Sequence, residues 1–177
     1  MRTWIALPVL LISLTGCVSQ TQVTSMTVGK SEASALHYSQ GFHENMQVAS
    51  VTGGYATNKK WSKEITEEGF RIALRESLSN AMLLGLANSA QYKINVRFIE
   101  MDRTHISINR FTTNTTIEYT VIDSKTGNVV FDEAVSTPGS ATFTDSAIAA
   151  RRARLANEAN IRENIRLFLQ GLSQKIL

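Results

Sequence analysis

The chain has 177 residues, of which 43% are hydrophobic and 19% charged, so it is a globular protein and not a disordered one. Its formal net charge of +3 is too small to indicate a nucleic-acid-binding protein. The single cysteine, Cys17, excludes an internal disulfide.

The first segment has the features of a secretory signal peptide. One basic residue, Arg2, precedes an apolar stretch at residues 4–14, and small residues follow. That stretch is shorter than the roughly 20 apolar residues that a membrane-spanning helix needs. We therefore predict that residues 1–16 are removed by cleavage between Gly16 and Cys17. A plain signal peptide with an incidental cysteine and an uncleaved membrane anchor are the alternatives.

Cys17 lies in a recognisable setting. A leucine three places before it, with small residues between, resembles the lipobox of bacterial lipoproteins. The resemblance implies that the Cys17 thiol receives a diacylglycerol. Its acyl chains, such as palmitate, would then insert into the outer-membrane lipid. Several acyl chains together make a durable anchor, whereas one chain holds only marginally. In such lipoproteins an aspartate after the cysteine signals retention in the inner membrane. Val18 occupies that position here, which implies the outer membrane and a domain facing the periplasm.

Residues 17–45 follow as a lipidated N-terminus and a predicted flexible tether, because their first half is rich in Ser, Thr, Gln and small residues. An irregular but ordered first strand is the alternative. The folded domain is predicted for residues 46–177.

Periodicity predicts the elements of that domain in chain order. Alternating residues indicate strands at 46–51, 92–101, 116–121 and 129–135, the last two as a hairpin, with residues 138–139 closing the strand region. Apolar residues at spacings of three and four indicate a helix at 66–84, which Gly85 ends. A longer helix is predicted for 146–173. Its predicted capping residues are Thr144, Asp145 and Ser146. Its predicted apolar stripe consists of Leu155, Ala159, Ile165, Phe168, Leu169 and Leu172.

The resulting order is β-α-β-β-β-α. Sequential strands tend to be neighbours, and two helices with one apolar face each pack on the same side of a sheet. We therefore predict an α+β fold, a two-layer sandwich with a mainly antiparallel sheet of about four strands and two helices on one face.

No catalytic, cofactor or metal site is predicted. The sequence has no Gly-x-Ser-x-Gly elbow, no phosphate-binding loop and no dinucleotide fingerprint. The three histidines, His37, His43 and His105, lack the spacing of a metal pair on a helix. Catalytic residues can also converge from distant positions, so an enzyme stays an alternative.

Two groups of residues are candidates for a partner surface or an anionic-lipid surface. Arg151, Arg152 and Arg154 form a basic cluster, for which a solvated helix face with ion pairs is the alternative. Trp61 stands in a basic loop, and it either forms a docking patch or packs under the helix that follows.

The domain resembles a group of small proteobacterial outer-membrane lipoproteins of undefined role. The resemblance covers residues 46–172. It is carried by residues 51–54, 58–61 and 70–78, by Tyr119, and by residues 123–131, 154–158 and 161–165. Members of the group are sometimes labelled UDP-N-acetylglucosamine acyltransferase. The true acyltransferases are left-handed β-helices of hexapeptide repeats, and this sequence has no six-residue repeat.

Together these observations predict a non-catalytic lipoprotein, anchored in the outer membrane through Cys17, whose periplasmic domain binds an envelope protein or another envelope component and no nucleic acid. The alternatives are a lipid- or glycolipid-handling protein, or an acyltransferase-like enzyme, which requires an apolar cavity between sheet and helices. A structural accessory subunit of a larger envelope assembly is a third possibility.

Overall fold

The protein is represented by a computed structural model that describes residues 23–53, 65–106 and 109–175, with backbone only for 102–106. Its strands are β1 (Met46–Thr52), β2 (Tyr92–Ile106), β3 (Arg110–Asp123) and β4 (Val129–Thr142). Its helices are α1 (Val23–Met26), α2 (Lys30–Ala33), α3 (Glu67–Asn80) and α4 (Ala149–Ser173), and a 3-10 turn lies at Gln40–Phe42.

The four strands form one sheet in the order β1-β2-β3-β4. β1 and β2 are parallel because helix α3 carries the chain back between them, whereas β2, β3 and β4 form an antiparallel meander. The turn between β3 and β4 uses Gly127 at φ +75°, and the Asp123 carboxylate accepts the Lys125 N–H at 2.8 Å. The predicted α+β sandwich with a mainly antiparallel sheet is confirmed.

The hydrophobic core lies between one face of the sheet and the helices. Every second residue of β3 from Phe111 onward is buried, as a strand with one covered face requires. Tyr119 at its centre stacks on Phe168 of α4 at a ring distance of 4.2 Å, and Phe70 of α3 lies 6.5 Å from the same tyrosine. The two main helices therefore cover the same face, as the sequence predicts.

The predicted flexible tether is wrong over residues 23–45, which are part of the fold. Met26, Val28 and Phe42 are at most 1% exposed. The Val28 N–H donates to Ser77 Oγ at 2.9 Å, and Asn80 Nδ2 donates to the Val28 carbonyl at 2.8 Å. These apolar residues are too irregularly spaced to show a helical or strand period, so a polar composition conceals a segment that packs on α3. Residues 17–22 lie outside the described residues.

Helix α3 ends earlier than predicted, and Gly85 has a different role. Met82 adopts φ +57°, its N–H donates to Ser79 O, and the next N–H, of Leu83, donates to Leu78 O. This is a Schellman motif with a methionine in the left-handed position that glycine usually occupies. A Cβ on Gly85 would lie 2.5 Å from the Glu44 carbonyl oxygen, so Gly85 permits a close backbone approach beside β1.

Strand β4 runs through the predicted stop at residues 138–139 and ends at Thr142. Pro138 is tolerated because β4 is an edge strand. A Cβ on Gly139 would lie 2.3 Å from the Ala156 carbonyl oxygen, so this glycine allows α4 to approach the strand. Glycine and proline here mark close packing and an edge, and not the end of the strand.

Helix α4 begins three residues later than predicted, and none of the predicted capping side chains caps it. Its N-cap is Ile148, which offers no side-chain hydrogen bond. The Asp145 carboxylate accepts instead from the Thr142 N–H and hydroxyl, at 2.7 and 2.8 Å. In the predicted apolar stripe, Ala159 is exposed and Leu155 only half-buried. The buried face of α4 is rotated around the helix axis relative to the predicted stripe, because it includes Asn160 and Asn164.

Candidate functional site

Three residues predicted to be functional lie outside the described residues. They are Gly16 and Cys17, at the predicted cleavage and lipidation site, and Trp61 in the basic loop. Their roles stay predictions.

The structure separates the predicted arginine cluster. Arg151 is exposed, whereas Arg152 is only 6% exposed and donates from one guanidinium nitrogen to the carbonyls of Ser146 and Ala147, at 2.7 and 3.0 Å. Arg154 is largely buried, and its Nε lies 3.5 Å from a carboxylate oxygen of Glu158. Successive residues point about 100° apart around a helix, so adjacent arginines do not share one face. Of the three, only Arg151 is presented to solvent.

The beginning of α4 instead presents an unusual set of exposed apolar residues. Residues 147–150, with the sequence Ala-Ile-Ala-Ala, are all exposed. Ile148 is 64% exposed, and Phe143, just before them, is 56% exposed. Four consecutive exposed apolar residues are uncommon on a soluble surface unless they serve a function. We call Phe143, residues 147–150 and Arg151 the tip patch.

The backbone around the tip patch is held in place by specific contacts. The Arg152 guanidinium lies 5.7 Å from the centre of the Phe143 ring while it binds the two carbonyls that precede α4. The Phe143 N–H donates to the Asn109 carbonyl at 2.9 Å. The Thr142 N–H and hydroxyl hold the pKa of the Asp145 carboxyl below its usual value, so that this residue stays charged at neutral pH.

The surroundings of the tip patch are basic. Residues 141–158 contain three arginines and two acids, Asp145 and Glu158, which gives a local formal charge of 3 − 2 = +1, and Glu158 is ion-paired with Arg154. Because Asp145 accepts hydrogen bonds from Thr142, its charge is partly compensated within the turn. The patch thus combines an aromatic ring, an aliphatic side chain and an exposed cation.

A buried row of hydrogen bonds, which we call the polar seam, fixes α4 on the sheet. Asn164 accepts from the Tyr119 hydroxyl at 2.8 Å and donates to Val135 O and Thr137 Oγ1, at 2.8 and 3.0 Å. Asn160 donates to the Thr137 carbonyl at 2.7 Å and accepts from the Thr137 hydroxyl at 2.9 Å. Sequence reasoning missed the seam. The available signal was two asparagines four residues apart on the face of a long amphipathic helix.

The uncovered face of the sheet is polar, and its side chains are paired with one another. Arg97 makes two hydrogen bonds to the Glu118 carboxylate at 2.8 and 3.0 Å, which hold the pKa of that carboxyl below its usual value. Other cross-strand pairs join Lys93 to Gln47, Ser50 to Asn95 and Thr120 to Asp132. A face that satisfies its own polar groups matches a solvated surface and gives no sign of a ligand.

Two absences concern the described parts of the chain, a metal-binding cluster and a membrane-spanning helix. No group of three or more His, Cys, Asp or Glu side chains is placed there to hold a metal ion. No helix among the same residues has the length and apolar character needed to cross a membrane.

Comparison with known proteins identifies the fold. The chain matches no protein-family model and no curated protein sequence. Among solved structures it is similar to a protein of Caulobacter crescentus CB15 that is provisionally described as a lipoprotein, with 18% identity and a TM-score of 0.50 over 81% of this chain and 91% of that one.

Two further structures have the same fold. A protein of Xanthomonas campestris from the domain family DUF330 has 8% identity and a TM-score of 0.52 over 78% of this chain and 91% of its own. A hypothetical protein of Chlamydia trachomatis also has 8% identity and a TM-score of 0.52, over 72% and 95% of the two chains. At these identities the similarity shows a shared α+β fold and nothing more.

Proposed function

We propose that this protein is a bacterial lipoprotein, anchored in the outer membrane by an acylated Cys17, whose periplasmic domain binds an envelope component without catalysis. The observation that carries the proposal is the lipobox-like string at residues 14–17 directly behind an apolar signal segment. The occurrence of the same fold in a protein described as a lipoprotein supports it.

The packed N-terminal arm adds a geometric consequence. Since the described fold begins at Val23, only residues 17–22 would separate the lipid from the domain. Six extended residues span at most about 20 Å. The domain would therefore lie close to the membrane surface, and not at the end of a long tether. A partner within the periplasm would be met next to the bilayer.

Two substitutions test the anchor and its sorting. Metabolic labelling with a fatty acid should mark the wild type and leave Cys17→Ser unlabelled, because the thiol is the acylated atom. Val18→Asp should stay labelled but move from the outer-membrane to the inner-membrane fraction. Equal labelling of wild type and Cys17→Ser would refute the lipoprotein. An unchanged membrane distribution of Val18→Asp would refute the outer-membrane sorting.

Binding of an envelope component calls for crosslinking in intact cells. The acylated protein should yield a discrete crosslinked product, and the same product should be absent for Cys17→Ser, which cannot be acylated. A protein that gives no specific product in its own envelope, yet turns over a purified envelope substrate, would contradict a non-catalytic binding role.

The described core gives no support to the alternative of a lipid- or glycolipid-handling protein. That function needs an apolar cavity between sheet and helices. In the described residues, aromatic rings pack against one another in this space, with ring centres 4.2 Å apart for Tyr119 and Phe168, 5.4 Å for Phe131 and Phe168, and 5.0 Å for Phe70 and Phe98.

A further inference from the structure

The tip patch is an amphipathic surface of the kind that binds at a membrane interface. Phe143 and Ile148 are more than half exposed, and Ile148 stands in sequence among three exposed alanines at residues 147–150. Burying such side chains among lipid headgroups and acyl chains removes apolar surface from water, which is favourable in proportion to the area buried.

The charge of the patch is complementary to an anionic bilayer. Arg151 is exposed directly beside the apolar run, and the segment 141–158 has a local formal charge of +1. Basic residues near an anionic membrane surface each strengthen binding by about 1 kcal/mol. A patch that presents aromatic, aliphatic and basic groups within residues 143–151 offers both contributions.

The position of the chain entry favours the same occupant. The methyl group of Met26, in α1, lies 3.8 Å from the Cβ position of Gly69, and the following ring, Phe70, lies 6.5 Å from Tyr119, which bonds Asn164. The N-terminal arm, residues 23–45, therefore packs near the middle of α4, where Glu32 also forms an ion pair with Arg162. From Asn164 to the start of α4 at Ala149 is about 22 Å along the helix.

Residues 17–22 can span about 20 Å, nearly the same distance. A lipid carried by Cys17 would therefore come close to the plane of the tip patch. The opposite end of the sheet cannot share that plane, because β4 with its 14 residues is about 45 Å long.

We propose that the tip patch is a second membrane contact, in which Phe143 and Ile148 enter the headgroup region of an anionic bilayer and Arg151 binds lipid phosphate. The contact would orient the domain on the leaflet that holds its lipid anchor. That last point rests on the proposed lipoprotein function, whereas the binding of the patch to anionic bilayers does not.

The test uses the mature chain, residues 17–177, with Cys17→Ser, so that any binding is independent of acylation. Its partition onto vesicles of equal parts phosphatidylglycerol and phosphatidylethanolamine is measured by co-sedimentation, with pure phosphatidylcholine as the neutral comparison. The double substitution Phe143→Ser/Ile148→Ser should weaken partition at least about tenfold. Arg151→Gln should weaken it about fivefold and reduce its salt dependence.

Matched controls lie at the other end of the sheet, where Met82 and Leu86 are 56% and 80% exposed and Lys125 is exposed in the turn after β3. Met82→Ser/Leu86→Ser and Lys125→Gln remove the same kinds of group and should leave partition unchanged. All the substituted residues are at the surface, so each variant should fold. Thermal unfolding of each variant checks this.

A direct readout keeps the proposal testable even if a variant is unstable. The emission of Phe143→Trp should shift to the blue on anionic vesicles, whereas that of Met82→Trp should not. The proposal would be overturned if the patch variants bound anionic vesicles as well as the wild type does. It would also be overturned if the control variants lost as much binding as the patch variants. So would a change from dimer to monomer on substituting Phe143 and Ile148, since the patch would then bind a second copy. Absence of fatty-acid labelling at Cys17 with vesicle binding intact would refute the anchor alone.

Discussion

The polar seam between α4 and the sheet predicts strong energetic coupling between Tyr119 and Asn164. Both side chains are fully buried, and the Tyr119 hydroxyl donates to Asn164 Oδ1 at 2.8 Å. Asn164→Leu conserves approximate volume but leaves the Tyr119 hydroxyl and the Val135 carbonyl without this partner. Each buried orphaned group costs about 1–3 kcal/mol, so we expect the free energy of unfolding to fall by about 2–5 kcal/mol.

The double variant isolates the pair. Tyr119→Phe alone should cost about 1–2 kcal/mol, because it leaves Asn164 Oδ1 unsatisfied. In the Asn164→Leu background the hydroxyl is already without a partner, so its removal should cost nothing or be stabilising. The expected coupling is therefore about 1–2 kcal/mol.

Urea unfolding of the four proteins, followed by far-UV circular dichroism, gives these free energies from the midpoint and slope. Asn88→Leu, at an exposed loop position, is the matched control and should change stability by less than about 0.5 kcal/mol. Strict additivity of Tyr119→Phe and Asn164→Leu would refute the view that the seam acts as one network.

Three further predictions concern the backbone and alkaline pH. Gly139→Ala should lower the free energy of unfolding by about 3 kcal/mol, because its Cβ would lie 2.3 Å from a carbonyl oxygen of α4, whereas Gly29→Ala, with open space around it, should be tolerated; urea midpoints compare them. Met82→Gly should stabilise by about 0.5–1 kcal/mol in the same assay, since φ +57° is costly for methionine; a lower midpoint would contradict this. Burial raises the pKa of Tyr38 to about 12 and that of Tyr119 well above 10.0. The folded state therefore keeps protons that the unfolded chain loses, so stability is complete below pH 10 and falls as pH rises above it, by about 1.4 kcal/mol per proton and pH unit. Tyr119→Phe should make that decline shallower, and an unchanged slope in pH-dependent urea unfolding would count against the burial argument.

The fold class follows from the sequence because its strands alternate cleanly. Tyr92, Ile94, Val96 and Phe98 all point into the core, and a period of two can arise only from a strand with one covered face. The parallel pairing of β1 and β2 follows equally from the helix between them, since a crossover connection is what parallel neighbours require.

The boundaries were harder to predict, because the local signals had tertiary causes. Gly139 and Gly85 serve close approaches of backbone to backbone, which depend on a helix and a strand distant in sequence. Met82 ends α3 in a conformation that its own preference disfavours. Tertiary packing outweighs local propensity at each of these positions.

The candidate site illustrates the same limit from the side of function. The sequence suggests that Arg151, Arg152 and Arg154 form one cluster. In the structure the Arg151 side chain is exposed, that of Arg152 binds backbone carbonyls and that of Arg154 is ion-paired. Whether an apolar residue belongs to the core or to a docking surface depends on its solvent exposure, which the sequence alone does not give. Ile148 and Phe143 look like ordinary core residues until the structure places both at the surface.

The start of α4 departs from several rules of helix stability at once. An isoleucine occupies the N-cap, no acid lies in the first turn, and Arg151 and Arg152 stand where the helix dipole disfavours positive charge. A serine or aspartate at 148 and a glutamate at 151 would stabilise the helix better. The structure compensates by satisfying two preceding carbonyls with Arg152 and by fixing the helix further along through Asn160 and Asn164. A helix start with poor local stability that other contacts hold in place is expected where the surface has a function. The polar seam and the tip patch are thus connected: the seam holds α4 so that its apolar, basic end is presented in one orientation.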